Sequence, residues 1–373
     1  MPLAKVCRDL QEADMAQPRT HATTSAEESP KARPKPPKAA PPLDGKLVYM
    51  DDTRPGYSRV RVNAATFHYL DTAGRRIRRA AELDRIRALA IPPAYEAVWI
   101  CPLPWGHLQA TGRDARGRKQ YRYHPAWAQQ RDADKYGSLR EFGASLPRIR
   151  RQVARDLRMA GLAQAKMIGV VVQLLDDTLI RIGAREYVRA NRSYGLTTLT
   201  RRHATVRGDR LRFRFRGKSG VEHDVTVTDR RIARVIKRCL DIPGQQLFQY
   251  LDEDGNPHAV DSESVNAYLR EAGAADFTAK HYRTWAGSVL AYAALQRRPF
   301  IDERQARQEV VEVIKQVAQR LANTPAVCRA CYVHPLIVDT YLAGGLPAHG
   351  PAPAGPRGLS ADERRLLAFL DKA

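Results

Sequence analysis

From Leu211 to Arg216 the chain alternates without a break: Leu211, Phe213 and Phe215 are apolar, and Arg212, Arg214 and Arg216 are cationic. A strand turns successive side chains to opposite faces. This period of two therefore predicts a strand with one face in a core and the other presenting guanidinium groups. Gly217-Lys218-Ser219-Gly220 reads as a tight turn, and Val221, Val225 and Val227 as the returning strand. The result is a β-hairpin with one lysine at its tip, set among helices. Residues 147–180 have helical periodicity, helices resume after 228, and the strongest are 303–321 and the segment around 327–343. A chain that combines such a hairpin with helices belongs to the α+β class.

Upstream, residues 46–130 read as a β-rich domain. YSRVRVN, AVWICPL, GHLQATGRD and RKQYRYH are expected strands, with a turn at Asp114–Gly117 between the last two. ELDRIRALAI is a short helix that Pro92-Pro93 ends. Residues 131–345 form the mainly helical domain. Residues 1–45 include KARPKPPKAAPP and read as a disordered tail, because such a composition buries too little apolar surface to fold. Residues 346–373 begin with LPAHGPAPAGPRG and read as a flexible segment, with a short helix near SADERRLLAFLDK that Ser360 would cap.

The net charge is +22. Residues 1–45 hold seven Lys/Arg against six Asp/Glu, and residues 346–373 hold four against three, so +20 falls on the folded body between them. Cations fixed on a folded surface suit a polyanion, since phosphate contacts release counterions and steer association. The expected partner is a nucleic acid. The five cysteines form no disulfide-like framework, and Cys328-x-x-Cys331 has no second pair to complete a metal site, so both read as small helix residues. No signal core and no run of 18 apolar residues occurs, which predicts a cytoplasmic protein without a membrane span.

Four stretches carry chemistry: Leu179-Ile180-Arg181-Ile182-Gly183, the hairpin tip at Lys218, Lys280-His281-Tyr282-Arg283-Thr284-Trp285, and Asn323-Thr324-Pro325 followed by Tyr332. These residue types suit strand cleavage by phosphoryl transfer. Two arginines can grip the non-bridging oxygens of a phosphodiester as charge develops on them. Asn323 can add a neutral donor. A sugar hydroxyl is a poor leaving group until it is protonated, and a lysine can supply that proton. Tyrosine is the attacking oxygen, and nearby cations must favour its ionised form.

In order and spacing these residues closely resemble the type IB DNA topoisomerases of poxviruses and bacteria. Arg181 lies in LIRIGAREY, Lys218 follows 37 residues later in FRGKSGVEH, Arg283 lies in KHYRTW, and Tyr332 comes nine residues after Asn323. The resemblance covers most of residues 46–345. It implies a DNA breaking-rejoining fold that forms a clamp around duplex DNA. It also implies a nucleophilic Tyr332, catalytic Arg181, Lys218, Arg283 and Asn323, and a 3′-phosphotyrosyl intermediate formed without ATP or metal. Gln120, Tyr121 and Tyr123 match positions where the family touches bases and backbone, and Lys280 stands where the family's topoisomerase branch has lysine. No cofactor is expected, and a monomer at the nucleoid is. Poxvirus members carry His where this chain has Asn323, so the role implied there is a hydrogen bond to phosphate and not proton transfer. Two other readings are weighed. Tyrosine recombinases and integrases share the chemistry but read His-x-x-Arg at the second arginine, where this chain has Lys280. A non-enzymatic architectural DNA binder would explain the charge but not five catalytic residue types in order.

Overall fold

The computed structural model describes residues 47–63 and 66–372. The tail 1–45 lies outside them. The described residues form two compact units that divide between Lys135 and Tyr136, where the sequence reading puts the boundary at 130.

The N-terminal unit is built on a five-stranded antiparallel sheet. Its strands are β1 (Tyr57–Arg61), β2 (Phe67–Leu70), β3 (Glu96–Ile100), β4 (Leu108–Arg113) and β5 (Lys119–Tyr123), in the order β2-β1-β3-β4-β5. Strand β2 is an addition to the expected set. Helix α1 (Ala80–Ala88) contributes Ile86 to a small core with Val98, Ile100 and Ala110. Gln109 is buried and made affordable by its bonds: its Nε2 donates to the carbonyls of Leu103, Pro104 and Gly106, and its Oε1 accepts from Arg85 at 2.8 Å.

Helix α2 (Pro125–Asp156) begins shortly before 131, where the mainly helical region is expected to start, and runs into the periodic stretch 147–180. That stretch is two helices. The chain turns through Gly161, at φ +63, before α3 (Gln164–Thr178) starts. Helix α4 (Arg185–Asn191) follows. The alternating segment is as expected: β7 (Arg210–Arg216) buries Leu211, Phe213 and Phe215 and exposes its arginines. Burying each such side chain contributes about 1.5–3 kcal/mol, and Phe213→Ala would cost about 3–5 kcal/mol. The hairpin gains a third strand, since β6 (Ala204–Arg207) and β8 (Glu222–Thr228) pair on either side of β7. Val221 lies outside β8 and is exposed: it closes the turn, its carbonyl accepting from the Gly217 amide at 2.7 Å, and His223 takes the place opposite Phe215.

Helix α5 (Arg230–Asp241) starts on Asp229, whose carboxylate accepts from the amides of Arg231 and Ile232. A two-stranded ladder, β9 (Gln249–Leu251) with β10 (Pro257–Ala259), and helix α6 (Ser262–Gly273) come next. Helix α7 (Ala279–Gln296) is buried along almost its whole length and is the axis of the larger core. Around it pack α8 (Glu303–Arg320), α10 (Pro335–Leu342) and α11 (Ala361–Leu370), with α9 (Pro325–Cys331) against α8. The expected helix at 327–343 is thus two, split between Tyr332 and Pro335.

The segment 346–373, read as flexible, is corrected in its second half. Ser360 caps α11 as expected, but Leu359, Leu366 and Leu370 are buried. Glu363, 1% exposed, accepts from Arg150 of α2 at 2.9 Å and from the Trp285 indole of α7 at 3.1 Å. Arg150 also pairs with Asp176 of α3 at 2.7 Å. A buried ion pair of this kind is costly to break from one side, so α11 is an integral part of the unit.

Candidate active site

Helix α3 stops because Leu179 adopts the left-handed region at φ 57, a conformation that costs a branched residue about 1–2 kcal/mol. Arg181 therefore lies not on the helix but in the strand-like stretch beyond it. That stretch is laid against residues 195–197: the Leu196 amide donates to the Arg181 carbonyl at 2.9 Å, and the Thr197 amide to that of Ile182 at 2.8 Å. A side chain at Gly195 would collide with the Arg181 carbonyl, and Gly183 sits at φ +93. The same segment reaches the hairpin, because the Tyr194 amide donates to the Arg216 carbonyl at 2.9 Å. Main-chain bonds thus tie the Arg181 loop to the strand that leads to Lys218.

Thr324 accepts from the Val327 amide and Pro325 opens α9, the usual chemistry of a helix start. Tyr332 ends that helix. Its amide donates to the Cys328 carbonyl at 2.9 Å, and its own carbonyl packs on Gly287 of α7, where a Cβ would come within 2.5 Å. Ser288 Oγ donates to the same carbonyl at 3.4 Å and accepts from the His334 amide at 3.0 Å. The Tyr332 main chain is therefore seated on the central helix.

Arg283, 5% exposed, spans the site. One terminal nitrogen donates to the Leu179 carbonyl and the other to that of Leu321 at 2.6 Å, with Cζ 5.0 Å from the centre of the Tyr332 ring. Arg181 donates to the side-chain oxygen of Asn323. Two donors here have no hydrogen-bond partner although they are buried, Arg283 Nε and Asn323 Nδ2. A buried donor without a partner costs about 1–3 kcal/mol, and an anionic oxygen would relieve both.

The charges act on one another. Burial opposes ionisation of the Tyr332 phenol, but the charges of Arg283 and Arg181 outweigh it, so its pKa lies below the ordinary value of 10.0. Burial, with the charge of Arg181, pulls Arg283 down to about 10. Cys328, buried in α9, has its thiol pushed up to about 11 by that burial, while Cys331 is exposed.

The structure thus brings Arg181, Arg283, Asn323 and Tyr332 into one cluster. Lys218 is exposed on the turn between β7 and β8, where Ser219 takes φ 63. Lys280 is exposed in the first turn of α7, just ahead of Arg283. In the N-terminal unit, Tyr121 and Tyr123 lie on one face of β5, both more than 40% exposed and nearly parallel, with ring centres 6.1 Å apart. Gln120 falls on the opposite face, with its Nε2 donating to Asp114 at 3.0 Å.

One residue escaped the sequence reading. His223, half-buried on β8, has its pKa lowered first by burial and then by the charges of Arg181 and Arg283. The signal was there in principle, since 223 shares the period-two phase of Val225 and Val227.

Residues 124–340 match the family described as the catalytic core of eukaryotic DNA topoisomerase I, and residues 66–114 match the N-terminal domain of bacterial DNA topoisomerase IB. The DNA topoisomerase 1B of Acanthamoeba polyphaga mimivirus is 30% identical over 268 residues, covering 70% of this chain and 80% of the viral protein. That of vaccinia virus is 22% identical over 248 residues, covering 66% and 75%. The DNA topoisomerase I of monkeypox virus is equally similar, at 22% over 248 residues.

Proposed function

The chain belongs to the type IB DNA topoisomerases, and from that premise we propose that it relaxes supercoiled DNA through a covalent bond between Tyr332 and the 3′ side of a nicked strand. The observation that carries the assignment of residues is the setting of Arg283. It is buried, fixed by two main-chain carbonyls and poised over the Tyr332 ring, with its Nε and the Asn323 amide as unused donors.

In this reading the Tyr332 oxygen attacks phosphorus in line with the 5′-oxygen. Arg181, Arg283 and Asn323 hold the non-bridging oxygens and stabilise the charge that develops on them. The P–O5′ bond breaks, and Lys218 gives its proton to the departing oxygen. The free end swivels, and the 5′-hydroxyl then attacks the phosphotyrosine and releases Tyr332. One phosphodiester replaces another, so the cycle needs no ATP, and arginine and lysine supply the positive charge that phosphoryl transfer requires. Tyr121, Tyr123, Gln120 and Lys280 are the proposed duplex contacts, and the clamp around DNA belongs to the same proposal. The proposal extends to a monomer at a bacterial nucleoid. The N-terminal match to a bacterial family supports the branch. Among the described residues, no helix is long and apolar enough to cross a membrane.

The test is plasmid relaxation in EDTA without ATP. The chain should relax the plasmid, and Tyr332→Phe, which removes only the nucleophilic oxygen, should bind DNA and leave it supercoiled. Relaxation by Tyr332→Phe would mean that another residue is the nucleophile.

A further inference from the structure

Gly217 precedes Lys218 with an extended backbone, φ −94 and ψ −165. Its conformation does not call for glycine, but its surroundings do. A Cβ at 217 would come within 2.5 Å of His223 Nε2 and 2.6 Å of its Cδ2. The imidazole therefore lies directly against the main chain that leads into Lys218. The same ring stacks on Phe215, its partner across the ladder, with ring centres 4.7 Å apart and planes inclined by 4°. Phe215 is itself buried. The ring of His223 is thus wedged between the core and the turn.

The turn needs such a support. Its own closure consists of the Gly217 amide donating to the Val221 carbonyl at 2.7 Å, the Gly220 amide to the Gly217 carbonyl at 3.1 Å and the Val221 amide to the Lys218 carbonyl at 3.5 Å, with Ser219 in the left-handed region. These are main-chain bonds and do not hold the Lys218 side chain. Burial and the two arginine charges keep His223 neutral, so the wedge adds no repulsion to the ammonium beside it.

We infer that His223 is a positioning residue for Lys218: held between Phe215 and Gly217, its ring sets the turn so that the ammonium meets the leaving 5′-oxygen. The inference rests on the proposed role of Lys218 as proton donor. His223 itself takes no proton. The proton passes from Lys218 Nζ to O5′ as the P–O5′ bond breaks and the bond from phosphorus to Tyr332 forms.

The experiment is single-turnover cleavage of two duplexes, one with oxygen and one with sulfur at the 5′-bridging position of the scissile phosphate. A thiolate leaves without a proton, so it bypasses Lys218. His223→Ala and Gly217→Ala, which crowd or empty the same contact from opposite sides, should slow the oxygen substrate by roughly ten- to a hundredfold, part of the ~10²–10⁴ that a general acid supplies. Cleavage of the sulfur substrate should stay within about threefold of the parent rate, since groups that act only through the proton donor do not affect it. His223→Ala combined with Lys218→Ala should be no slower than Lys218→Ala alone. Equal slowing of both substrates, no slowing of either, or additive loss in the double variant would overturn the inference. Should His223→Ala lose its cooperative unfolding transition, Gly217→Ala decides. If sulfur fails to rescue Lys218→Ala, the general-acid reading falls and the inference with it, and that outcome is read from the Lys218 arm alone.

Discussion

Arg283 and Lys218 carry the same charge in opposite settings. Arg283 is locked into the floor of the site by carbonyls from two loops, where its field lowers the pKa of Tyr332. Lys218 stands exposed at the end of a hairpin whose strand β7 is tied to the Arg181 loop by the Arg216–Tyr194 bond. The difference fits the role proposed for each group. Charge stabilisation costs least when the donors are preorganised and need not move as the reaction proceeds. A proton donor has to reach a leaving oxygen whose place is set by the DNA, and an exposed turn allows that reach. The floor should therefore act on every substrate, and the tip only on those whose leaving group needs a proton.

The largest expected effect is that of Arg283→Ala. It should slow cleavage of the oxygen and sulfur duplexes alike, by about 10²–10³-fold or more. Arg283→Lys should do little better, because an ammonium cannot reproduce the planar fork that spans Leu179 and Leu321. Rescue of either variant by sulfur would erase the distinction between floor and tip. The parent enzyme offers a finer check in its pH profile on the sulfur duplex. The rate should rise as Tyr332 ionises, at a pH below that of a free phenol. A rise centred at or above the ordinary phenol value would show that the arginine charges do not favour the ionised Tyr332.

Asn323→Ala should have a smaller effect, about tenfold on both substrates, which is the worth of one neutral hydrogen bond. Asn323→His should recover most of it, since an imidazole N–H can donate in its place. A loss on the oxygen substrate alone would move Asn323 from the floor to the proton-transfer machinery.

Much of this was legible in the chain. The alternation at 211–216 located the sheet, and the Asn-Thr-Pro start located the helix that presents Tyr332. Local patterns of this kind reflect which side chains share a face. What was not legible depends on distant partners. Arg150 and Glu363 are a buried ion pair across 213 positions, and nothing near Glu363 marks it as anything but a surface residue of a terminal helix. Arg181 looked helical because Leu179 and Ile180 are apolar in helical phase, yet the left-handed Leu179 ends the helix before it. His223 is a polar residue that interrupts a run of valines, although it keeps their period-two phase.

In the proposed cycle Tyr332 becomes covalently bonded to DNA. The direct measurement is to trap the enzyme on a nicked duplex from which the 5′ fragment diffuses away, denature it, digest it, and identify the DNA-bearing peptide by mass spectrometry. A single adduct is expected, a phosphodiester at Tyr332 linked to a 3′ end. An adduct at any other residue, or a 5′ linkage, would contradict it.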